Sequence, residues 1–435
     1  MLTGKCWKTH IVLIAVVLIS SFLTGFTYRD LQAGSGIARI VAGLQALPRK
    51  VASAAVIGAD GKEANLPPVD TYWSVISYVD SHYYGEKPKA KQLTYAAIRG
   101  MMASLGDRYT RFLDPTEHKE MSEENRGDFE GIGAELDTKD GRIFIRKVIP
   151  NSPALRAQLK SKDTILKVGD KLIQGMDILD VVKLIRGPGG TKVKLTIKRE
   201  DTPEPFDVEI IRDVILFEIV ESRMEDTVNK IGYIALRQFN EKSDQKIYDA
   251  MNDLDNQGAK AFVLDLRGNP GGLLDSAISI GSRFISSGDV VVIQNKGGHR
   301  TAVPVDASKH NNSLRPLAVL IDHGTASAAE IVSGAIQDNK AGILIGNDSF
   351  GKGLVQTIID LDDGSAVAIT TAKYLTPNGH EVTPTHKIKP DIALDPTDDD
   401  VKNENDVQLK RAVQYLKERL GVGQTTAEAK DHGKS

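Results

Sequence analysis

Short apolar runs alternate with helical segments throughout the stretch from Lys230 to Tyr374. Ile231–Leu236, Ala261–Leu266 and Leu317–Ile321 are compact and almost wholly apolar, as is typical of buried strands. The segment Lys242–Gln257, between the first two runs, has helical spacing and is closed by a glycine. The other strands predicted here are Val290–Gln294, Gly342–Gly346, Leu354–Leu361 and Ala366–Tyr374. This order predicts an α/β fold in which helices cover a mixed sheet.

Overall composition narrows the classes of function. The chain has 435 residues, room for two or three domains, and balances 55 lysines and arginines against 58 aspartates and glutamates. Such a balance argues against a nucleic-acid partner. Cys6 is the only cysteine and lies at the extreme amino terminus, so a thiol-protease mechanism is excluded for the body of the chain. No cofactor is expected.

The first 30 residues differ in kind from the rest. Lys5 and Lys8 precede the apolar stretch Ile11–Phe26. The two lysines form a positively charged region, and the apolar stretch after them has the character of an export segment. No small-residue cleavage site follows directly, because Thr27–Asp30 is a poor match, so an uncleaved anchor is favoured over a removed signal peptide. The prediction is an extracytoplasmic body, in the periplasm or cell envelope, anchored to the inner membrane.

Two polar residues in the second half point to catalysis. Ser327 lies in the run Thr325–Glu330 (TASAAE), and Lys352 lies between glycines in Phe350–Gly353 (FGKG). A serine that attacks a carbonyl needs a base, and lysine can be that base only where its surroundings keep it neutral. The apolar and glycine neighbours of Lys352 favour this. Taken singly, a helix-capping serine and a solvated loop lysine are the alternatives.

Together these segments resemble the carboxyl-terminal processing proteases, S41-type serine proteases with a Ser-Lys dyad. The resemblance extends from about Asp70 to Asp395 and includes Asp265–Gly272 (DLRGNPGG) and Tyr374–Gly379 (YLTPNG). It implies that Ser327 is the nucleophile, Lys352 the general base and Gln356 the orienting partner of that base. It also implies a mixed-sheet α/β protease core of the ClpP/crotonase type, with an inserted PDZ domain and a small N-terminal helical domain.

The oxyanion donors are predicted from the surroundings of Ser327. Helical spacing from Ala328 onward puts the serine near a helix N-terminus, where free backbone N–H groups favour negative charge. The Ala328 N–H is one candidate donor, and Gly271 or Gly272 supplies the second. The choice between the glycines stays open, and a tight turn after Pro270 is the alternative reading of that pair. Glu330 is interpreted as a structural partner near the site.

An ordered series of strands, helices and glycine-rich turns from Phe129 to Arg199 resembles a PDZ domain. Its loop Gly131-Ile132-Gly133 is predicted to present backbone N–H groups to a peptide carboxylate. Arg186 ends the predicted helix of this domain. In several processing proteases the arginine at this position relays peptide binding to the active site; a cation that interacts with the helix C-terminus is the alternative.

Three competing catalytic patterns were considered. His323 could serve Ser327 as the base of a triad with Asp322, but adjacent side chains on a loop project apart. The run Asn347–Gly351 (NDSFG) does not spell a chymotrypsin-type nucleophile motif. His380-Glu381 begins a zinc-protease motif, but Pro384 occupies the place of its second histidine. No metal site is predicted.

The domain interpretation that follows is a signal segment (1–30), a linker (31–66), a helical domain (67–127), a PDZ domain (128–213), a protease core (214–397), an acidic linker with a C-terminal helix (398–420) and a disordered tail (421–435). The predicted function is a serine endopeptidase that binds protein C-terminal tails and cleaves by acyl-enzyme chemistry. A non-catalytic PDZ-containing adaptor for unfolded tails is the alternative. The predicted partners are protein or peptide substrates with exposed C-terminal tails, the membrane, and a second copy of the chain in a homodimer.

Overall fold

A computed structural model of the chain describes residues 69–139, 141–216, 218–310 and 315–422. The predicted export segment, the linker after it and residues 423–435 of the predicted tail lie outside the described residues. Within the described residues, every helix is too short or too polar to span a membrane. The structure divides into two compact units between Ala97 and Ile98.

The first described helices are α1 (Asp70–His82) and α2 (Ala90–Ala103). The sequence pattern predicts that Trp73, Ile76, Val79 and Tyr83 form a core stripe. That prediction is wrong for the described chain, since Trp73 is 62% and Tyr83 57% exposed and α1 buries no residue. The apolar stripe of α1 therefore has the spacing of a core-facing surface, but its side chains are not buried in the described structure.

A strand and a third helix follow, β1 (Arg111–Leu113) and α3 (Pro115–Arg126). The Asp114 side chain caps α3 by accepting hydrogen bonds from the N–H groups of Thr116 and Glu117, and Gly127 ends the helix in the left-handed conformation at φ 76°. The pattern predicted only helices in this region. The strand forms because Phe112 and Leu113 are buried where β1 pairs with a strand of the protease core.

The PDZ domain is built from eight strands and two helices: β2 (Asp128–Gly131), β3 (Ala134–Lys139), β4 (Arg142–Val148), α4 (Pro153–Arg156), β5 (Thr164–Val168), β6 (Lys171–Leu172), α5 (Ile178–Ile185), β7 (Lys192–Lys198), β8 (Phe206–Ile211) and β9 (Asp213–Leu216). Its main sheet has the order β3-β4-β5-β7-β8, and β2 pairs with β9 alone. Ile145, Val181, Leu195 and Ile197 form the centre of its core.

The protease core contains two sheets, where the pattern predicted one mixed sheet. The first sheet has the order β10-β11-β12-β15-β16-β19, in which β10 is antiparallel to β11 and the other pairs are parallel. The second has β18 at its centre, paired with β1, β13 and β17, with β14 beyond β13. The strands are β10 (Val220–Asp226), β11 (Ile231–Leu236), β12 (Ala261–Asp265), β13 (Asp289–Asn295), β14 (Arg300–Pro304), β15 (Leu317–Ile321), β16 (Ile343–Gly346), β17 (Leu354–Asp360), β18 (Ala366–Leu375) and β19 (Ile392–Ala393).

Five helices accompany these sheets: α6 (Ser243–Asn256), α7 (Leu274–Phe284), α8 (Ala328–Asp338), α9 (Asp398–Lys402) and α10 (Val407–Arg419). The short helix α9 forms within the predicted acidic linker, where Thr397 caps it. The amphipathic spacing correctly predicts α10, whose Leu409, Ala412 and Leu416 pack on the first sheet. The predicted fold class is confirmed: a mixed α/β core, a separate smaller β-rich domain with its own sheet, and helices before it.

Candidate active site

Ser327 lies at the junction of a loop and a helix. The loop leaves β15 at Ile321, and Ser327 precedes α8 with φ 54° and ψ −116°, a conformation that non-glycine residues rarely adopt. The Ser327 N–H donates to Glu330 Oε2 at 2.8 Å. The strained backbone is thus held by the first turn of the helix that follows.

Lys352 lies in the connection between β16 and β17, with a glycine on each side. A Cβ atom on Gly351 would come within 2.4 Å of the Thr383 carbonyl oxygen, and one on Gly353 within 2.1 Å of the Val382 carbonyl oxygen. Both positions therefore require glycine, because a neighbouring backbone packs directly against them. The flanking glycines thereby fix the position of the lysine along the chain.

A buried carboxylate joins the two segments. Glu330 is fully buried, and its Oε2 accepts from the Ser327 N–H at 2.8 Å and from the Lys352 N–H at 2.9 Å. Its Oε1 accepts from the Ser349 hydroxyl at 2.5 Å and from the Gly351 N–H at 2.6 Å. Glu330 thereby fixes the backbone of both candidate catalytic residues. This is a structural role, as the sequence motif predicted for it.

The surroundings of Lys352 favour its neutral form. Burial, followed by repulsion from Arg111 and Arg108, lowers the pKa of Lys352 below its usual value near 10.4, against the opposing attraction of Glu330 and Asp107. Its Nζ lies 4.7 Å from the centroid of the Tyr109 ring. Among the described residues, no hydrogen bond is formed by Nζ, including to Ser327.

The six predicted catalytic and oxyanion residues line one cleft of about 470 Å³. They are Ser327, Lys352, Gln356, Ala328, Gly271 and Gly272. Met121, Leu274, Ile331 and Leu354 are among the apolar side chains of the same cleft. The geometry therefore places the candidate nucleophile and the candidate base in one cleft, beside apolar side chains.

The backbone N–H groups of Ala328 and Gly272 lie in this cleft and form no hydrogen bond to an acceptor among the described residues. The Gly271 N–H donates to Asn269 Oδ1 at 2.9 Å. Gly271 has φ 97°, and a Cβ there would lie 2.8 Å from both the Ala328 nitrogen and Ser327 Cβ. Its missing side chain keeps open the space beside the serine.

Gln356 does not contact Lys352 in this arrangement. Its Nε2 lies 3.4 Å from Thr370 Oγ1, which in turn donates to Asp107 Oδ2 at 2.6 Å. The Asp107 carboxylate also accepts from the Thr110 hydroxyl at 2.7 Å. This chain of contacts ties the segment before β1 to the strands β17 and β18.

Sequence reasoning missed the segment Asp107–Arg111. It places Tyr109 against Lys352 and Arg111 in the cleft, although it is about 240 residues distant along the chain. No local motif could have revealed it, because its position depends on the pairing of β1 with β18. Of the competing bases, His323 is directed elsewhere, with Nδ1 2.9 Å from the Asp348 carbonyl oxygen.

The PDZ loop presents free donors. The N–H groups of Ile132 and Gly133 have no acceptor in the described part of the chain, and Gly133 has φ 76°. Arg186 ends α5 nearby: its Nη1 lies 3.3 Å from Glu123 Oε2, and its guanidinium lies 5.0 Å from the centroid of the Phe129 ring. Arg186 thus connects the PDZ domain with helix α3.

Helix α3 has contacts on two sides. Glu123 reaches Arg186, while Met121 and Asn125 line the catalytic cleft. At its start, His118 Nδ1 lies 3.1 Å from the Gly364 carbonyl oxygen in the turn between β17 and β18. The helix therefore contacts the PDZ domain on one side and lines the catalytic cleft on the other.

Comparisons with known proteins agree with this architecture. Residues 230–394 match the family model described as Peptidase family S41, and residues 120–198 match that of the PDZ domain. The carboxy-terminal processing protease CtpA of Bacillus subtilis (strain 168) is 41% identical over 317 residues, covering 72% of this chain and 66% of that protein, slightly less than two thirds of its length.

A probable CtpA-like serine protease of Staphylococcus aureus (strain MSSA476) is 34% identical over 394 residues, covering 90% of this chain and 73% of that protein. Among solved structures, a photosystem II D1 C-terminal processing protease is 29% identical, with a TM-score of 0.45 over 75% of this chain and 87% of that one.

Proposed function

Because the chain belongs to the carboxy-terminal processing proteases of peptidase family S41, we propose that it is a serine endopeptidase that binds C-terminal tails through its PDZ domain and cleaves them by acyl-enzyme chemistry. The observation that carries the proposal is that Ser327 and Lys352 line one cleft with their backbones bonded to the same buried carboxylate. A nucleophile and a base fixed in this way can act as a unit.

In the proposed mechanism the neutral Lys352 amine takes the proton of Ser327 as Oγ attacks the scissile carbonyl. The tetrahedral intermediate collapses when Lys352 returns that proton to the leaving amine, and an ester links Ser327 to the acyl part of the substrate. Water then attacks the ester, again with Lys352 as the proton acceptor, and releases the new carboxylate.

The oxyanion of the intermediate is assigned to the N–H groups of Ala328 and Gly272. Both are free of acceptors among the described residues, whereas the Gly271 N–H is bonded to Asn269. Gly271 serves instead by leaving room for the substrate carbonyl beside Ser327. Gln356 is assigned the task of receiving Lys352 after it moves toward the serine, since its side chain lines the same cleft.

The PDZ loop is assigned to the C-terminal carboxylate of a bound tail. The free N–H groups of Ile132 and Gly133 support this role, because two adjacent backbone donors favour an anion. Arg186 is the proposed carrier of the signal from peptide to cleft, and its contact with Glu123 of α3 supports that role.

The proposed location is the extracytoplasmic side of the inner membrane. Support comes from Lys5, Lys8 and the apolar stretch Ile11–Phe26, which have the order of an export segment that stays in the membrane.

A homodimer is also proposed. The exposed Trp73, Val75 and Tyr78 on α1 support it, since a second copy could cover an apolar surface of this kind.

The experiment that tests the catalytic assignment measures degradation of an unstructured protein by the purified wild type, Ser327→Ala, Lys352→Ala and the double variant. We expect each single variant to lose turnover, with the double variant no worse than either, because the two residues act as a unit. Substantial cleavage by Lys352→Ala would contradict the dyad. Wild-type binding of tails without cleavage would favour the adaptor alternative.

A further inference from the structure

The backbone of Lys352 is held by hydrogen bonds on both its N–H and its carbonyl side. The Lys352 N–H donates to Glu330 at 2.9 Å, and its carbonyl oxygen accepts from the Tyr374 hydroxyl at 2.8 Å. Burial, and then Glu330, raises the pKa of Tyr374 well above its usual value, so this hydroxyl keeps its proton. With both backbone groups fixed, rotation of the side chain is the movement that remains available to Nζ.

In the described structure Nζ is over the Tyr109 ring, 4.7 Å from its centroid. The Tyr109 N–H donates to Asp107 Oδ1 at 2.9 Å, and Asp107 accepts from the Thr370 hydroxyl of β18, so the backbone that carries the ring is tied to the second sheet of the core. The Tyr109 hydroxyl has no hydrogen-bond partner among the described residues. The contact with Lys352 is therefore made by the ring alone.

We propose that Tyr109 is a positioning residue for Lys352: its ring holds the ammonium form away from Ser327, and the neutral amine leaves the ring to accept the serine proton. The proposal rests on the proposed Ser-Lys mechanism. An aromatic face attracts a cation within about 6 Å of its centroid but has no comparable attraction for a neutral amine. Protonation and position of the base are thereby linked.

The charged groups around Lys352 act in both directions. Arg108 and Arg111, on the same segment as Tyr109, disfavour the ammonium form, whereas Asp107 and Glu330 favour it. Glu124 of α3 also lines the cleft and adds negative charge. The Tyr109 ring itself carries no net charge, and its contact stabilises only the ammonium form of Lys352.

The test measures the rate at which a fluorophosphonate labels Ser327 across a range of pH, in the wild type, Tyr109→Leu and Tyr109→Phe. Removing the ring destabilises the ammonium form and lowers the pKa of Lys352, so the rise in labelling moves to lower pH. For Tyr109→Leu we expect a shift of about half a unit to one and a half units. Tyr109→Phe keeps the ring and is expected to keep the wild-type midpoint.

A second series guards against misfolding of the leucine variant. Phenylalanines with increasing ring fluorination at position 109 keep the shape but weaken the negative face of the ring. The midpoint should fall progressively along this series. If wild-type Ser327 is labelled but neither series moves the midpoint downward, the role of Tyr109 is overturned. If wild-type Ser327 is not labelled at any pH, the proposed mechanism itself fails.

Discussion

Two buried glutamates, one beside the catalytic cleft and one beside the PDZ domain, are built into the molecule in different ways. Glu330 is 0% and Glu123 is 4% exposed. Glu330 accepts hydrogen bonds from three backbone N–H groups and a serine hydroxyl, all at 2.9 Å or less. Glu123 is 3.3 Å from Arg186 and 3.6 Å from Lys119, both partly exposed.

The difference separates a fixed framework from an exchangeable contact. Backbone donors cannot turn away from Glu330 without deforming the loops that carry Ser327 and Lys352. Arginine and lysine side chains can leave Glu123 by rotation, at a cost that water partly offsets. The comparison indicates that the backbone around Ser327 and Lys352 is fixed by buried hydrogen bonds, whereas the link between the PDZ domain and α3 depends on side chains that can rotate away.

The largest effect should come from Glu330→Gln. The amide nitrogen of glutamine would face N–H donors that need an acceptor, which leaves buried groups unpaired at about 1–3 kcal/mol each. We expect the cleavage rate to fall by about 100-fold or more and the free energy of unfolding by roughly 2–5 kcal/mol. The rate of degradation and urea unfolding measure the two quantities.

Glu123→Gln is the matched control for that variant, with the same change in a buried glutamate. Its basal cleavage should stay within about twofold of the wild type, because no backbone donor depends on it. Equal losses from the two substitutions would remove the distinction between framework and exchangeable contact.

The second effect concerns two glycines. A Cβ on Gly271 would lie 2.7 Å from the Ala326 carbonyl oxygen, at φ 97°, whereas one on Gly131 would meet only side chains, Phe129 at 3.3 Å and Arg186 Cγ at 3.9 Å. We expect Gly271→Ala to reduce cleavage by about 100-fold, through blocking of the site beside Ser327. Gly131→Ala should keep basal cleavage. Degradation assays on both variants, with thermal unfolding to verify the fold, measure the contrast.

Should Gly271→Ala retain near wild-type cleavage, the carbonyl of the substrate does not approach the serine through the space beside this glycine. The catalytic backbone would then be more adaptable than the bonding of Glu330 indicates.

Much of the protease core could be predicted from the sequence because its strands are short apolar runs with clear ends. β11, β15 and α10 all lie within a few residues of their predicted bounds. The residues of the TASAAE and FGKG motifs were likewise recognisable, because each contributes chemistry that its neighbours support. Family resemblance then indicated which of them belong to one site.

The parts that could not be predicted depend on distant pairing. β1 has no strand pattern of its own, and it forms because β18 offers an edge to Arg111–Leu113. The position of Tyr109 follows from that pairing. The stripe on α1 fails for the opposite reason: periodicity reports an apolar face, but it does not report whether anything covers Trp73.

The smallest effect is expected at the pair Arg186 and Glu123. The Arg186 side chain is 35% exposed, so its ion pair with Glu123 should contribute about 1 kcal/mol or less to the free energy of unfolding. Its importance should appear in regulation: a peptide with a free apolar C-terminus should stimulate cleavage of a second substrate in the wild type, and amidation of that peptide should remove the stimulation.

Arg186→Gln and Glu123→Gln should each weaken this stimulation while peptide affinity stays close to the wild-type value, and the double variant should be no weaker than the singles. Non-additivity is expected because both substitutions remove one contact. Affinity and rate are to be measured on the same samples, since a ligand shifts an equilibrium only through differential interaction with its two states. Full stimulation of Arg186→Gln would mean that Arg186 is a cation at a helix end, and the PDZ domain would then act on the cleft through contacts other than Glu123.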